Sequence, residues 1–199
     1  MITTIIFDLS DVYLEGIIGS HKYFEKKLDI PVSGEYFYNE GFEKFMFGQI
    51  TEDEYWRSVI KTNLWDIPVG ELKNAARKNF TEIKGTREII EKLKKEDYTL
   101  ILLSNHGKEW VEYCERKYSY HKLFKHVIYS FQVGFTKPNK RIFLLTLKKL
   151  QVKPQECLFI DDYINNIITA EKLGFNVIQF TSAKNLEKKL KEFKIKIYT

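Results

Sequence analysis

The chain predicts an α/β fold, a Rossmann-like parallel sheet core with an inserted α-helical cap, on three observations. Short apolar runs alternate with segments of helical period, the pattern of a parallel sheet covered on both faces. That alternation stops between about Glu15 and Lys84, where the residues give several helices and no strand. Four of the runs break into polar residues at their ends: Ile5-Ile6-Phe7-Asp8, Leu102-Leu103-Ser104-Asn105, Val127-Ile128-Tyr129-Ser130 with Lys137 shortly after, and Phe159-Ile160-Asp161-Asp162. The core is therefore expected over residues 1–14 and 85–199 and the helical cap over residues 15–84.

In chain order, strands are expected at Ile2 to Asp8, Tyr98 to Ser104, His126 to Ser130, Glu156 to Asp161 and Asn176 to Phe180, with an edge strand at Lys194 to Tyr198. Thr86 to Glu96, Lys108 to Tyr118, Asn139 to Leu150 and Ile164 to Leu173 have the period of crossing helices. Gly174 suits the left-handed residue that ends the last of these. Within the cap, Thr51-Glu52-Asp53-Glu54 has the form of a capping box, and Pro68 suits the first turn of the last cap helix. The aromatics Tyr36, Phe37, Tyr38, Phe42, Phe45, Phe47, Tyr55 and Trp56 serve either as the cap's own core or as a pocket wall. Small helical modules need such large side chains, and Phe42, beside Gly41, is the one chosen to face a substrate.

Composition narrows the class. With 199 residues and 44% apolar content, the chain suits one buried core plus a small inserted module. The first residues enter an apolar strand without a basic leader, and no run approaches membrane-spanning length, so a cytoplasmic protein with no membrane partner is expected. Cys114 and Cys157 are too few for a disulfide framework or a thiolate metal cluster. The net charge of +5 comes from lysines scattered along helices and gathered near the end at Lys184, Lys188, Lys189, Lys191, Lys194 and Lys196. This reads as a solvated helix face rather than a nucleic-acid surface, and its mild field favours anionic metabolites.

The chemistry lies at the strand ends. Ligands of an open parallel sheet bind outside the carboxyl ends of the strands, where the strand order reverses. Residues distant in sequence meet there, and these are the set that a magnesium-dependent phosphoryl-transfer site needs. Two adjacent acids after an apolar approach, Asp161 and Asp162, call for a cation to offset their repulsion. Taken singly, each motif has a plainer meaning: Asp8 a turn cap, Ser104-Asn105 a helix N-cap, Lys137 a surface lysine in a turn.

In their order and spacing, Asp8, Ser104-Asn105, Lys137-Pro138 and Asp161-Asp162 with Asn166-Ile167 resemble the four motifs of the haloacid dehalogenase-like hydrolase superfamily, over nearly the whole chain. The first motif resembles that of helical-cap phosphatases reading Phe-Asp-Leu-x-x-Val, sugar phosphatases among them, and Gly48 to Tyr55 is similar to their cap segment. The resemblance implies a Mg2+-dependent phosphatase acting on a small phosphorylated metabolite, as a monomer or homodimer. It assigns Asp8 as nucleophile, forming an aspartyl-phosphate that water hydrolyses. Direct Mg2+ ligands would be Asp8, the backbone carbonyl of Ser10 and Asp162, with Asp161 acting through water. Ser104 and Asn105 would bind phosphate oxygens, and Lys137 would neutralise phosphoryl charge and keep Asp8 ionised. His106 either touches substrate or is a satisfied loop residue. Asn166 would fix the loop that carries the acidic pair.

One position departs from the pattern. Where many such phosphatases carry a second Asp as general acid and base, this chain has Ser10, and losing a positioned acid typically costs about 10²–10⁴-fold in rate. Asp11, one residue later, points elsewhere if the backbone stays extended, although a turn re-aims it. Phosphates whose leaving groups need little protonation are expected to be favoured, such as anomeric sugar, acyl or aryl phosphates, with slow hydrolysis of the aspartyl-phosphate. The alternatives are a catalytically weakened binding protein of the same fold and a haloacid dehalogenase. Family dehalogenases typically carry serine and asparagine where this chain has Asp161-Asp162, so the acidic pair argues for phosphate.

Overall fold

The computed structural model describes residues 1–28 and 32–197. β1 (Thr4–Phe7) is followed by α1 (His21–Leu28), α2 (Glu40–Met46), α3 (Glu52–Asn63) and α4 (Val69–Asn79). Then come α5 (Thr86–Lys94), β2 (Thr99–Ser104), α6 (Lys108–Tyr118), β3 (His126–Tyr129), α7 (Ser130–Val133), α8 (Lys140–Leu150), β4 (Cys157–Asp161), α9 (Ile164–Lys172), β5 (Asn176–Gln179) and α10 (Ala183–Glu192). The five strands pair in parallel in the order β3-β2-β1-β4-β5. From β1 the chain winds outward through β2 and β3, then returns to add β4 and β5 on the other side of β1. The switch point therefore falls between β1 and β4.

Alternation along the strands splits the core in two. On one face Ile5, Phe7, Leu100, Leu102, Leu158 and Ile160 pack against α5, α6 and α10. On the other, Ile6, Ile101, Leu103, Ile128 and Phe159 meet Ile142, Phe143 and Leu147 of α8 and Ile167 and Ala170 of α9. Between β1 and β2 the described residues form helices, 3-10 turns and isolated bridges of Leu14 with Ser10 and Glu82, with no longer strand. Phe37, Phe45, Tyr55 and Trp56 of that segment are fully buried, and Phe24, Phe37 and Trp56 join one ring cluster.

Local signals hold with small shifts. Thr51 caps α3 in a reciprocal capping box with Glu54, Gly174 takes a left-handed φ of 90° past α9, and Pro68 is the N-cap of α4 rather than its first residue. The expected edge strand at 194–198 does not form over its described residues 194–197; Tyr198 lies outside the described residues. Lys194 has a left-handed φ of 57°, incompatible with extended chain. Ile195 N–H instead bonds to Leu190 O at 3.0 Å, closing the end of α10. Cys114 and Cys157 are buried and unpaired. Among the described residues no helix is long and apolar enough to cross a membrane.

Candidate active site

Sheet register brings the strand-end residues together. Phe7 lies level with Leu102 on one side and Ile160 on the other, so Asp8 emerges beside the end of β2 and beside Asp161. After β1 the N–H groups of Tyr13 and Leu14 both donate to Leu9 O at 2.9 Å, forcing a tight turn. Asp11 sits in that turn at a left-handed φ of 56°, one of the few backbone regions where Asp is tolerated in place of Gly. The turn does re-aim it: Asp11 lines the cavity over Asp8, its Oδ1 accepting from Gly16 N–H at 2.9 Å.

At the switch point, oxygens of Asp8, Asp161 and Asp162 lie within 4.8 Å of one another. The buried Lys137 Nζ sits 2.9 Å from Asp8 Oδ1 and 2.6 Å from Asp161 Oδ2. Asp8 Oδ1 also accepts from Leu9 N–H at 2.6 Å. Asn166 Nδ2 donates to both oxygens of Asp161, at 2.9 and 3.1 Å, as expected of a residue that fixes this loop. Burial pushes the Asp8 carboxyl up to about 8; Lys137 pulls it down, and Asp161 and Asp162 push it up again. Burial, then Asp161 and Asp11, raise Asp162 to about 6. Burial would lower Lys137, but Asp161 and Asp8 outweigh it and hold the ammonium above its ordinary value. Three carboxylates against one lysine leave excess negative charge in a buried place, and an all-oxygen donor set of this kind suits a hard divalent cation.

The remaining site residues take more specific places. Asn105 closes a pair of hydrogen bonds with the main chain of Lys137, accepting from its N–H and donating to its C=O, each at 2.8 Å. The carboxamide is thus committed to holding the lysine, which its position next to Ser104 did not reveal. Ser104 Oγ is fully buried and has no hydrogen-bond partner, a donor in reserve at the end of β2. Neither residue is a helix cap, since Gly107 takes that position on α6. Ser10 Oγ lies 3.3 Å from His106 Nδ1, which is also 3.1 Å from Asn105 O. Burial drives His106 down to about 4, so its ring is neutral near pH 7. Its Nε2 is sealed from solvent and without a partner.

A cavity of about 570 Å³ opens above this cluster, and Asp8, Ser10, Asn105, Lys137 and Asp162 reach its floor. Phe42 is among its lining residues. Tyr38, another of the cap aromatics, lines it too, and Met46, Trp110 and Tyr163, which the sequence did not assign, complete the apolar wall, with Glu43, exposed, and Asp11 as its charged members. Trp110 carries the signature of a core residue on the inner face of α6, and Tyr163 follows the acidic pair on a half-exposed loop, so neither stands out in a one-dimensional reading.

A sequence profile described as haloacid dehalogenase-like hydrolase matches residues 5–180. The chain is 27% identical over 154 residues to a chloroplast flavin mononucleotide hydrolase of Arabidopsis thaliana, covering 77% of this chain and 62% of the plant protein, less than two thirds of its length. It is 28% identical over 155 residues to a D-ribitol-5-phosphate phosphatase of Bacteroides thetaiotaomicron, covering 69% of this chain and 70% of that one. A crystal structure of a family enzyme from the same bacterium, in complex with magnesium and inorganic phosphate, superposes with a TM-score of 0.72 at 21% identity over 92% of this chain and 96% of that chain.

Proposed function

The chain belongs to the haloacid dehalogenase-like hydrolase family, and from that premise we propose that it is a Mg2+-dependent phosphatase of a small phosphorylated metabolite, working through an aspartyl-phosphate on Asp8. The observation that carries this reading is the buried group of Asp8, Asp161 and Asp162 sharing Lys137 beneath an open cavity. Both curated relatives compared above are named for action on phosphorylated metabolites, and the crystallised family member holds magnesium and phosphate.

Asp8, Asp162 and the carbonyl of Ser10 would hold the Mg2+, with Asp161 acting through water. Bound there, the cation supplies charge neutralisation for the phosphoryl oxygens and for the clustered carboxylates. Asp8 Oδ1 is taken up by Leu9 N–H and Lys137, which leaves Oδ2 to attack phosphorus in line. The leaving oxygen departs, and water then hydrolyses the acyl phosphate. Lys137 neutralises phosphoryl charge; Asp161, Asn166 and Asn105 fix its head and main chain. Ser104, without a partner in the protein, donates its hydroxyl to a phosphoryl oxygen. Residues 15–84 act as the cap whose Phe42 and Tyr38 face the organic part of the substrate. Two buried, unpaired cysteines fit a reducing compartment and so a cytoplasmic location.

Ser10 is the observation that favours a second reading, a binding protein of weakened turnover. Phosphate release from p-nitrophenyl phosphate, acetyl phosphate and sugar 1- and 6-phosphates, with Mg2+ or EDTA, separates the two. Release that needs Mg2+ and disappears in Asp8→Asn supports the phosphatase; absent or EDTA-insensitive turnover supports the binding protein.

A further inference from the structure

The cavity's charge runs against that of the molecule. Lysines and arginines outnumber acids 32 to 27 along the chain, yet among the described residues lining the cavity the acids are Asp8, Asp11, Glu43 and Asp162, and the single cation is Lys137. That lysine is already shared between Asp8 and Asp161. His106 is buried, its Nδ1 turned to Ser10 Oγ and Asn105 O and its Nε2 sealed from solvent, so neither ring nitrogen is presented to the cavity.

The count extends to the filled site. Asp8, Asp161 and Asp162 against Lys137 leave two negative charges, which one divalent cation offsets. The phosphoryl group then meets a floor of no net charge, flanked by Asp11 and Glu43 with no cation among the described wall residues to oppose them. Gly16 N–H holds the Asp11 carboxylate at 2.9 Å, and the carboxylate fills the space where a side chain at Gly16 would stand. The rest of the wall is mostly apolar or aromatic, from Tyr38, Phe42, Met46, Trp110 and Tyr163, with Thr136 and Asn166 as neutral polar members. A second anionic group on a substrate would lie against carboxylates, aromatic faces or neutral polar groups, with no donor of positive charge among the described lining residues to receive it.

We propose that the site takes phosphate monoesters whose remaining part carries no anionic group, and that Asp11 and Glu43 reject substrates with a second phosphate or a carboxylate. The proposal rests on the phosphatase reading and adds a substrate class to it. Discrimination works by like-charge repulsion and not by size, so it falls with ionic strength and follows the charge at Glu43.

The test measures kcat/KM with Mg2+ for two matched pairs, glycerol 1-phosphate against 3-phosphoglycerate and fructose 6-phosphate against fructose 1,6-bisphosphate, with p-nitrophenyl phosphate as reference. The member of each pair with no anionic group besides the scissile phosphate is expected to be preferred by about tenfold or more at low salt. That ratio should shrink as salt brings the Debye length down to about 3 Å, and it should shrink again in Glu43→Lys. Equal efficiency within both pairs, while p-nitrophenyl phosphate is hydrolysed, overturns the charge selection and leaves the phosphatase standing. A preference that neither salt nor Glu43→Lys moves assigns it to shape and also overturns the proposal. If nothing, the reference included, is hydrolysed with Mg2+, the phosphatase reading fails and takes this one with it.

Discussion

Ser10 and Asn105 show how much chemistry a single residue carries at a strand end. Ser10 stands where the resembling phosphatases often carry a second Asp, and its hydroxyl lies at the cavity floor 3.3 Å from His106 Nδ1. Ser10→Asp should therefore raise turnover of alkyl phosphates relative to aryl phosphates by about tenfold or more, read from the ratio of their kcat values; an unchanged ratio would show that proton supply does not limit the reaction. The strand-end residues were legible because an apolar run that breaks into Asp or Ser marks its own end. The partner of Asn105 was not, since the bonds to Lys137 join residues 32 apart in the chain. The place of Asp11 was open for a different reason: it depends on a turn whose backbone carries no side-chain signature.

Helices of residues 15–84 and of the rest of the chain share one hydrophobic cluster, and single contacts within it are testable. Glu52 on α3 is buried and accepts from Trp110 Nε1 of α6 at 3.0 Å, Trp56 Nε1 at 3.3 Å and Arg77 of α4 at 2.6 Å. Glu52→Ala leaves two indole N–H groups and a guanidinium without their acceptor, and should cost about 3–5 kcal/mol in denaturant unfolding. Gly107, before α6, lies so close to Phe45 of α2 that a Cβ there would fall 2.0 Å from the ring. Phe45 is fully buried and stacked on Tyr55, with no room to yield. Gly107→Ala should thus cost about 1–3 kcal/mol by overpacking, also read in denaturant. The four crossing helices, α5, α6, α8 and α9, were legible from period to within a residue or two. The failed edge strand at the C-terminal end was not, because Ile195 and Ile197 alternate like a strand while the left-handed Lys194 turns the chain back onto α10.

Across the whole molecule, the acidic cluster links metal, pH and stability. A carboxyl held above its ordinary value binds more protons folded than unfolded, so it lowers stability as pH rises towards its folded pKa. Asp8, raised to about 8, acts this way from near pH 4 to 8, and Asp162, raised to about 6, over the lower part of that window. His106, lowered to about 4, acts oppositely, its contribution rising from about pH 4 to 6.5 and flat above. Between pH 6.5 and 8 the metal-free protein should therefore lose stability through Asp8, and the rise in Tm on adding Mg2+ should be larger at pH 8 than at pH 6, since the cation competes with that proton. A rise in Tm independent of pH would separate the metal from this cluster. The parallel sheet and its covering helices followed from the run of strands and helices, whereas the strand order, with its switch point between β1 and β4, and the cavity wall, assembled from α2, α6 and two loops, needed the folded chain. The most direct measurement of the central claim is a rapid acid quench of the Mg2+-loaded protein with p-nitrophenyl phosphate, followed by mass analysis of the peptide bearing Asp8. A burst of nitrophenol matched by a phosphoryl group on Asp8 is the predicted result; a linear time course with Asp8 unmodified throughout turnover would contradict the account.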